Sequence, residues 1–282
     1  MSSSVIDIVN VKVKVNVKVK VKVIVKVMVN VKVKVKKSWP SKKIVRIFCI
    51  RSKNFFYLCT DKTTTKHQTL PMTKNEFRNC IDKLEDVLDQ IKTSAHQLHD
   101  HVNQTYDKVH PYGFHLDMVA DSVFKHGDVV CANENDVLPL FFGAYYHDSI
   151  EDARLTYNDV MKIARTWMND DQALMAAEIV FALTNDKGRT RKERAGEKYY
   201  QGIRTTPYAP FVKLADRLAN ITYSFTHCNE ANIHMKSVYQ HELPEFLEAI
   251  TAPTDGPRFV LPQAMIDEIM QIVQTSTEEG EK

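Results

Sequence analysis

TKNEFRNCIDKLEDVLDQIKTSAHQLHDHV, at residues 73–102, opens with Thr73 and Glu76 in the spacing of a capping box. Phe77, Cys80, Ile81, Leu84, Val87, Leu88, Ile91, Ala95, Leu98 and Val102 then recur at intervals of three and four, the period of a helix that buries one stripe. The run predicts one long amphipathic helix. Downstream, a second helix is expected from near Tyr112, carrying His115, Val119 and Val123 and ending near Gly127. A third begins at about Asp136 and runs through Leu138, Phe141, Phe142, Ala144 and Tyr145 into His147 and Asp148. Thr156 and Asp159 form another capping box, ahead of Val160, Ile163, Ala164 and Trp167. Asp171 caps a segment with Ala173, Leu174, Ala177, Val180, Phe181 and Leu183. Residues 185–206 are polar and basic and break the pattern. Helical spacing resumes in PFVKLADRLANITYSF (210–225), and apolar segments around Phe246 and over 265–272 follow. No sustained strand alternation occurs after Met72, so residues 72–282 read as one domain, an all-α helical bundle.

Upstream of Met72 the texture differs. Every odd position from 9 to 35 is valine, and the even positions are mostly lysine, with Asn10, Asn16, Ile24, Met28 and Asn30 as exceptions. Period-two alternation is a strand pattern, but this one is longer and more regular than ordinary strands. Lys, Asn, Ile and Met codons differ by single bases, so a drifting six-nucleotide repeat produces the same pattern, with Met72 then the native start. A cationic arm for membrane or nucleic acid is the functional alternative. Residues 1–71 are read as low-complexity repeat and linker outside the fold.

Charge divides at the same point. Residues 1–71 hold 17 Lys+Arg against 2 Asp+Glu, which leaves 21 against 33 in residues 72–282. So acidic a body is a poor general binder of nucleic acid. The five cysteines are scattered and odd in number, with no C-x-x-C pair, which indicates neither a disulfide framework nor a zinc ribbon. No apolar run approaches the ~18 residues of a membrane span, and the N-terminus lacks a signal-peptide pattern. The expectation is a soluble cytoplasmic protein that engages neither nucleic acid nor membrane.

Divalent cations bind where imidazoles and carboxylates from separate helices converge. His115 on one expected helix, His147 and Asp148 at the end of another, and Asp216 inside an apolar helix make such a set. Glu151 and Asp152 follow within a turn, placed to orient or deprotonate a water. Asn220, four residues after Asp216 and so on the same helix face, can donate to a phosphate or sugar oxygen. Each has a plainer alternative: a satisfied core histidine, a chance His-Asp pair, carboxylates on a solvated face or at a helix start, a structural amide.

HPYGFH (110–115), YYHDSIEDARLTYNDV (145–160), LTNDKGRTRKERA (183–195) and FVKLADRLANI (211–221), in that order, resemble the hydrolase domain of RelA/SpoT proteins and of stand-alone small alarmone hydrolases, a branch of the HD superfamily. The similarity runs over residues 112–239. It implies an HD-type all-α fold, Mn²⁺ on His115, His147, Asp148 and Asp216, and Glu151 and Asp152 as catalytic carboxylates. It also implies removal of the 3′-pyrophosphate of ppGpp or a related nucleotide, by a hydrolase standing alone. Among the basic residues of 187–194, Lys187 and Arg191 are the expected phosphate contacts by their place after the TND motif; a solvated loop is the alternative.

Two departures narrow what carries over. Members of the family carry an Arg-Lys pair before the first metal histidine that contacts guanine, whereas this chain reads TYDKVHPYGFH, with only Lys108. Residues 126–136 look like an insertion. A phosphohydrolase acting on another nucleotide, or a nucleotide-binding regulator without turnover, are the competing readings. Oligomeric state is not legible.

Overall fold

Thr73 caps α1 (Lys74–His101) as its spacing predicts: its Oγ1 accepts from the Glu76 N–H, and the Glu76 carboxylate accepts from the Thr73 N–H at 2.8 Å. The helix buries Phe77, Cys80, Ile81, Ile91 and Ala95. The computed structural model describes residues 47–52, 55–60, 71–227, 230–254, 259 and 261–280. The chain divides into two units, Met1–His67 and Gln68–Lys282. In the first, β1 (Ile47–Ser52) pairs antiparallel with β2 (Phe55–Thr60), a hairpin in a segment to which the sequence reading assigned no element. The Val/Lys alternation lies outside the described residues.

Among its described residues the second unit is all-α, as expected, apart from one small hairpin, β3 (Thr105–Tyr106) and β4 (His110–Pro111). After it come α2 (Gly113–Val130), a 3-10 turn (Glu134–Asp136), α3 (Val137–Tyr146), α4 (Tyr157–Ala164) and α5 (Asp170–Leu183). Then follow α6 (Arg191–Arg194), α7 (Glu197–Thr205), α8 (Ala209–Thr226), α9 (Glu230–Thr251) and α10 (Gln263–Gly280). All ten residues of α3 are buried, because VLPLFFGAYY is apolar on every side and can only be an inner helix. Around it pack α1, α2, α5 and α8, and α8 in turn touches α7, α9 and α10.

Several expectations shift. Gly127 does not end α2, which runs to Val130; a Cβ at Gly127 would stand 2.3 Å from the Phe77 ring, so the glycine permits α1 and α2 to approach. Asp171 does not cap α5. Asn169 does, in a box with Gln172, and Asp170 and Asp171 fill the first turn where acidic groups favour the helix dipole. Trp167 falls beyond α4, which closes at Ala164. Residues 185–206 are not without helix: Thr190 caps α6, and α7 buries Tyr199 and Ile203. Residues 126–136 form the end of α2 and the 3-10 turn leading into α3. No helix among the described residues is long and apolar enough to cross a membrane.

Candidate metal centre

His115 lies in the first turn of α2, His147 and Asp148 directly follow the last turn of α3, and Asp216 lies midway along α8. Because these three helices pack on one another, the four residues meet. The Nε2 atoms of His115 and His147 are 3.3 Å apart. Asp148 Oδ2 stands 2.8 Å from His147 Nε2 and 3.7 Å from His115 Nε2. Asp216 Oδ1 is 3.4 Å from His115 Nε2 and 3.9 Å from His147 Nε2. Bonds to a divalent cation about 2.1 Å long separate neighbouring donors by about 3.0 Å at right angles and about 3.4 Å in a tetrahedron. The observed spacings bracket both. His115, His147 and Asp148 form the compact group, with ligand atoms all within 4.8 Å, and Asp216 joins it through both imidazoles.

The donors are held ready by their neighbours. His147 Nδ1 lies 2.8 Å from the Ala144 carbonyl, which only a ring N–H can satisfy, so the Nε2 lone pair of the neutral ring faces the centre. Burial alone would lower the His147 pKa, but the Asp148 carboxylate beside it, helped by Asp216, raises it to about 9, so without a cation Nε2 also holds a proton, which a bound cation would displace. Asp148 and Asp216 are both held below the usual carboxylate range: burial opposes their charge, and His147 beside Asp148 and Lys213 beside Asp216 outweigh it. Tyr112 donates its hydroxyl to Asp148 Oδ2 at 2.5 Å, and Lys213 Nζ donates to Asp216 Oδ2 at 2.9 Å.

The β3–β4 hairpin supplies a further support. Val109 N–H bonds back to the Tyr106 carbonyl, with Asp107 and Lys108 both at positive φ (52° and 60°), the turn that suits the twist of a tight hairpin. Tyr106 is thereby laid on His115, with ring centroids 5.0 Å apart and planes at 11°, and its hydroxyl donates to Asn220 Oδ1 at 3.0 Å. Asn220 Nδ2 donates to Asp216 Oδ1 at 2.5 Å. The amide expected to meet substrate is thus engaged at both ends within the protein, and it braces a carboxylate donor.

Glu151 and Asp152 stand in different surroundings although adjacent in sequence. The Asp152 N–H bonds to the Asp148 carbonyl at 2.8 Å, so one helical turn carries the chain from donor to carboxylate. Glu151 is exposed and held by the Asn185 amide at 2.8 and 2.9 Å. Asp152 is half-buried and accepts from Gln104 Nε2 at 3.3 Å; burial, then the charges of Asp148 and Glu151, push its pKa up to about 6. Neighbouring carboxyls with separated environments can divide acid and base duties.

The four donors' neighbourhood opens into a cavity of about 780 Å³, whose wall includes Glu151, Asp152 and Asn220 together with Arg191, Lys213 and Arg217. Lys187, expected at the phosphates, is exposed and is not part of this wall. Sequence reading missed Lys213, Tyr112 and Arg217. Lys213 had a local signal, three residues before Asp216 on the same helix face, and Tyr112 the same spacing before His115. Tyr106 and Gln104 reach the centre only through the hairpin, which no periodicity announced. No family model matches the chain, and no curated protein matches it.

Proposed function

We propose that the chain is a metal-dependent phosphohydrolase whose substrate is a nucleotide bearing a pyrophosphate group, of the kind ppGpp represents. The observation that carries this reading is the meeting of two imidazole nitrogens and two ionised carboxylates, from α2, the end of α3 and α8, beside a cavity whose wall includes His115, Asp148, Asp216, Glu151 and Asp152. The donor set fits a hard or borderline divalent ion such as Mn²⁺: nitrogen and oxygen donors, no thiolate, and a His147 tautomer fixed for ligation. Bound there, such a cation would polarise a phosphoryl oxygen and lower the pKa of water. His115, His147, Asp148 and Asp216 would hold it.

The chain's own groups account for the rest. Asp152, with its raised pKa, takes a proton from the attacking water or returns one to the leaving oxygen. Glu151, held by Asn185, orients that water. Arg191 and Arg217 offer charge to the phosphates. A second nucleotide substrate is favoured by one observation: Tyr106, which lies in the segment where a guanine-contacting Arg-Lys pair would be expected, packs on His115 and bonds Asn220.

Incubating the full chain and Mn²⁺ with ppGpp, dNTPs and nucleoside monophosphates separates these readings. Pyrophosphate release from ppGpp is the expected result, with kcat lowered ~10²–10⁴-fold in Glu151→Gln or Asp152→Asn while bound metal is unchanged. Another product would move the substrate to a different nucleotide. Binding without product from any of them would make the protein a regulator.

A further inference from the structure

Two guanidinium groups converge on one carboxylate in the cavity wall. Arg191 donates through Nε and Nη2 to the Glu242 carboxylate at 2.6 and 3.1 Å, and Arg217 Nη1 donates to the same Oε2 at 3.1 Å. Both arginines have a second hold. The Arg217 guanidinium lies 4.9 Å from the Tyr239 ring centroid and 4.5 Å from that of Phe246, and Arg191 stands 5.5 Å over the same Tyr239. Cation–π contact therefore keeps the pair in place whether or not the carboxylate is present. The Glu242 side chain, 32% exposed, has the two arginines as its hydrogen-bond partners.

Guanidinium forks bind phosphate as they bind carboxylate, and phosphate brings more charge and more acceptor oxygens. Of the other cations lining the cavity, Lys213 is committed to Asp216 at 2.9 Å and Lys192 to Glu245 at 3.8 Å, while Arg194 is exposed on the short helix α6. The Arg191 and Arg217 pair is the place where a polyphosphate gains two guanidiniums by displacing a single acid. Pro244, inside α9, cannot donate the helical bond to the Gln240 carbonyl, which loosens the turn that carries Glu242.

We propose that Arg191 and Arg217 form a subsite for a pyrophosphate group of the substrate, and that Glu242 is its internal occupant, which the incoming phosphates displace. The proposal rests on the phosphohydrolase reading above and names what that cavity selects. Glu242 sets a threshold: a diphosphate outcompetes it, whereas a weakly charged ligand does not. Discrimination thus comes from a built-in competitor as well as from attraction.

Titration calorimetry of the full chain with inorganic pyrophosphate, in chelator so that no cation contributes, tests it. Glu242→Gln is expected to bind pyrophosphate about tenfold or more tighter than the parent, since a neutral amide competes weakly for guanidinium. Arg191→Gln, a change at a half-exposed side chain, is expected to weaken binding by a similar factor. Equal or weaker binding by Glu242→Gln would overturn the proposal, because the carboxylate would then be a prop for the arginines. Should that variant fail to fold, unchanged affinity in Arg191→Gln would overturn it as well. Metal content and nucleotide turnover, measured separately, report on the phosphohydrolase reading: tighter pyrophosphate binding without turnover would sink that reading and leave the subsite standing.

Discussion

His99 shows how far the centre constrains single side chains around it. It is fully buried on α1, its ring stacks on Tyr112 at 4.5 Å, and neither ring nitrogen has a hydrogen-bond partner among the described residues. Tyr112 in turn bonds Asp148, so the imidazole packs directly behind a residue that orients a donor. Burial lowers its pKa from 6.5 to about 4. Between those values the unfolded chain binds a proton that the folded chain refuses. Stability contributed by the neutral ring is therefore complete above pH 6.5 and falls as pH drops toward 4, by roughly 3 kcal/mol over the whole interval. Urea unfolding of the parent and of His99→Phe at pH 7 and pH 5 measures it: the parent is expected to lose about 2 kcal/mol more than the variant. Equal losses in the two proteins would assign the acid sensitivity to other groups.

Helices are the scale at which the sequence was most readable, and also where its misreadings have clear causes. Apolar periodicity and capping boxes locate α1 and α4 because both signals are local: Thr73 with Glu76 and Thr156 with Asp159 need only three residues of chain. Gly127 was misread because a glycine late in a helical pattern has two explanations, a C-cap or a close approach, and the second depends on Phe77, fifty residues away. α7 was missed because its charged surface and the basic run before it mask the stripe of Tyr199 and Ile203. The packing explanation for Gly127 has a measurable consequence. Gly127→Ala removes a helix-interior glycine yet drives a methyl into the Phe77 ring, so it is expected to destabilise by about 1–3 kcal/mol, as overpacking does. Helix propensity alone gives the opposite sign, a gain of roughly 1 kcal/mol. A thermal or denaturant midpoint that rises in this variant would show that α1 and α2 yield at the contact.

For the molecule as a whole, α3 is an apolar rod around which other helices assemble, and the candidate metal centre forms where α2 and α8 cross its end. The residue types of that centre were legible in sequence because His115, the His147 and Asp148 pair and Asp216 each stand out against apolar helices. The partners around the cavity were less so: Tyr106, Asn185 and Glu242 act across 25 to 114 residues of chain, and no local pattern encodes such pairings. Of the two residues expected at phosphates, Arg191 lies in the cavity wall and Lys187 outside it. Everything proposed for the chemistry depends on one point, that these four side chains together hold a divalent cation. The most direct measurement is an electron paramagnetic resonance titration of the chelator-treated full chain with Mn²⁺, in which bound metal loses the six-line signal of the free ion. The expected result is one Mn²⁺ per chain, with Asp216→Asn binding far more weakly while keeping its helical circular dichroism. A parent chain that leaves the free-ion signal intact, or a folded Asp216→Asn variant that binds as the parent does, would contradict it.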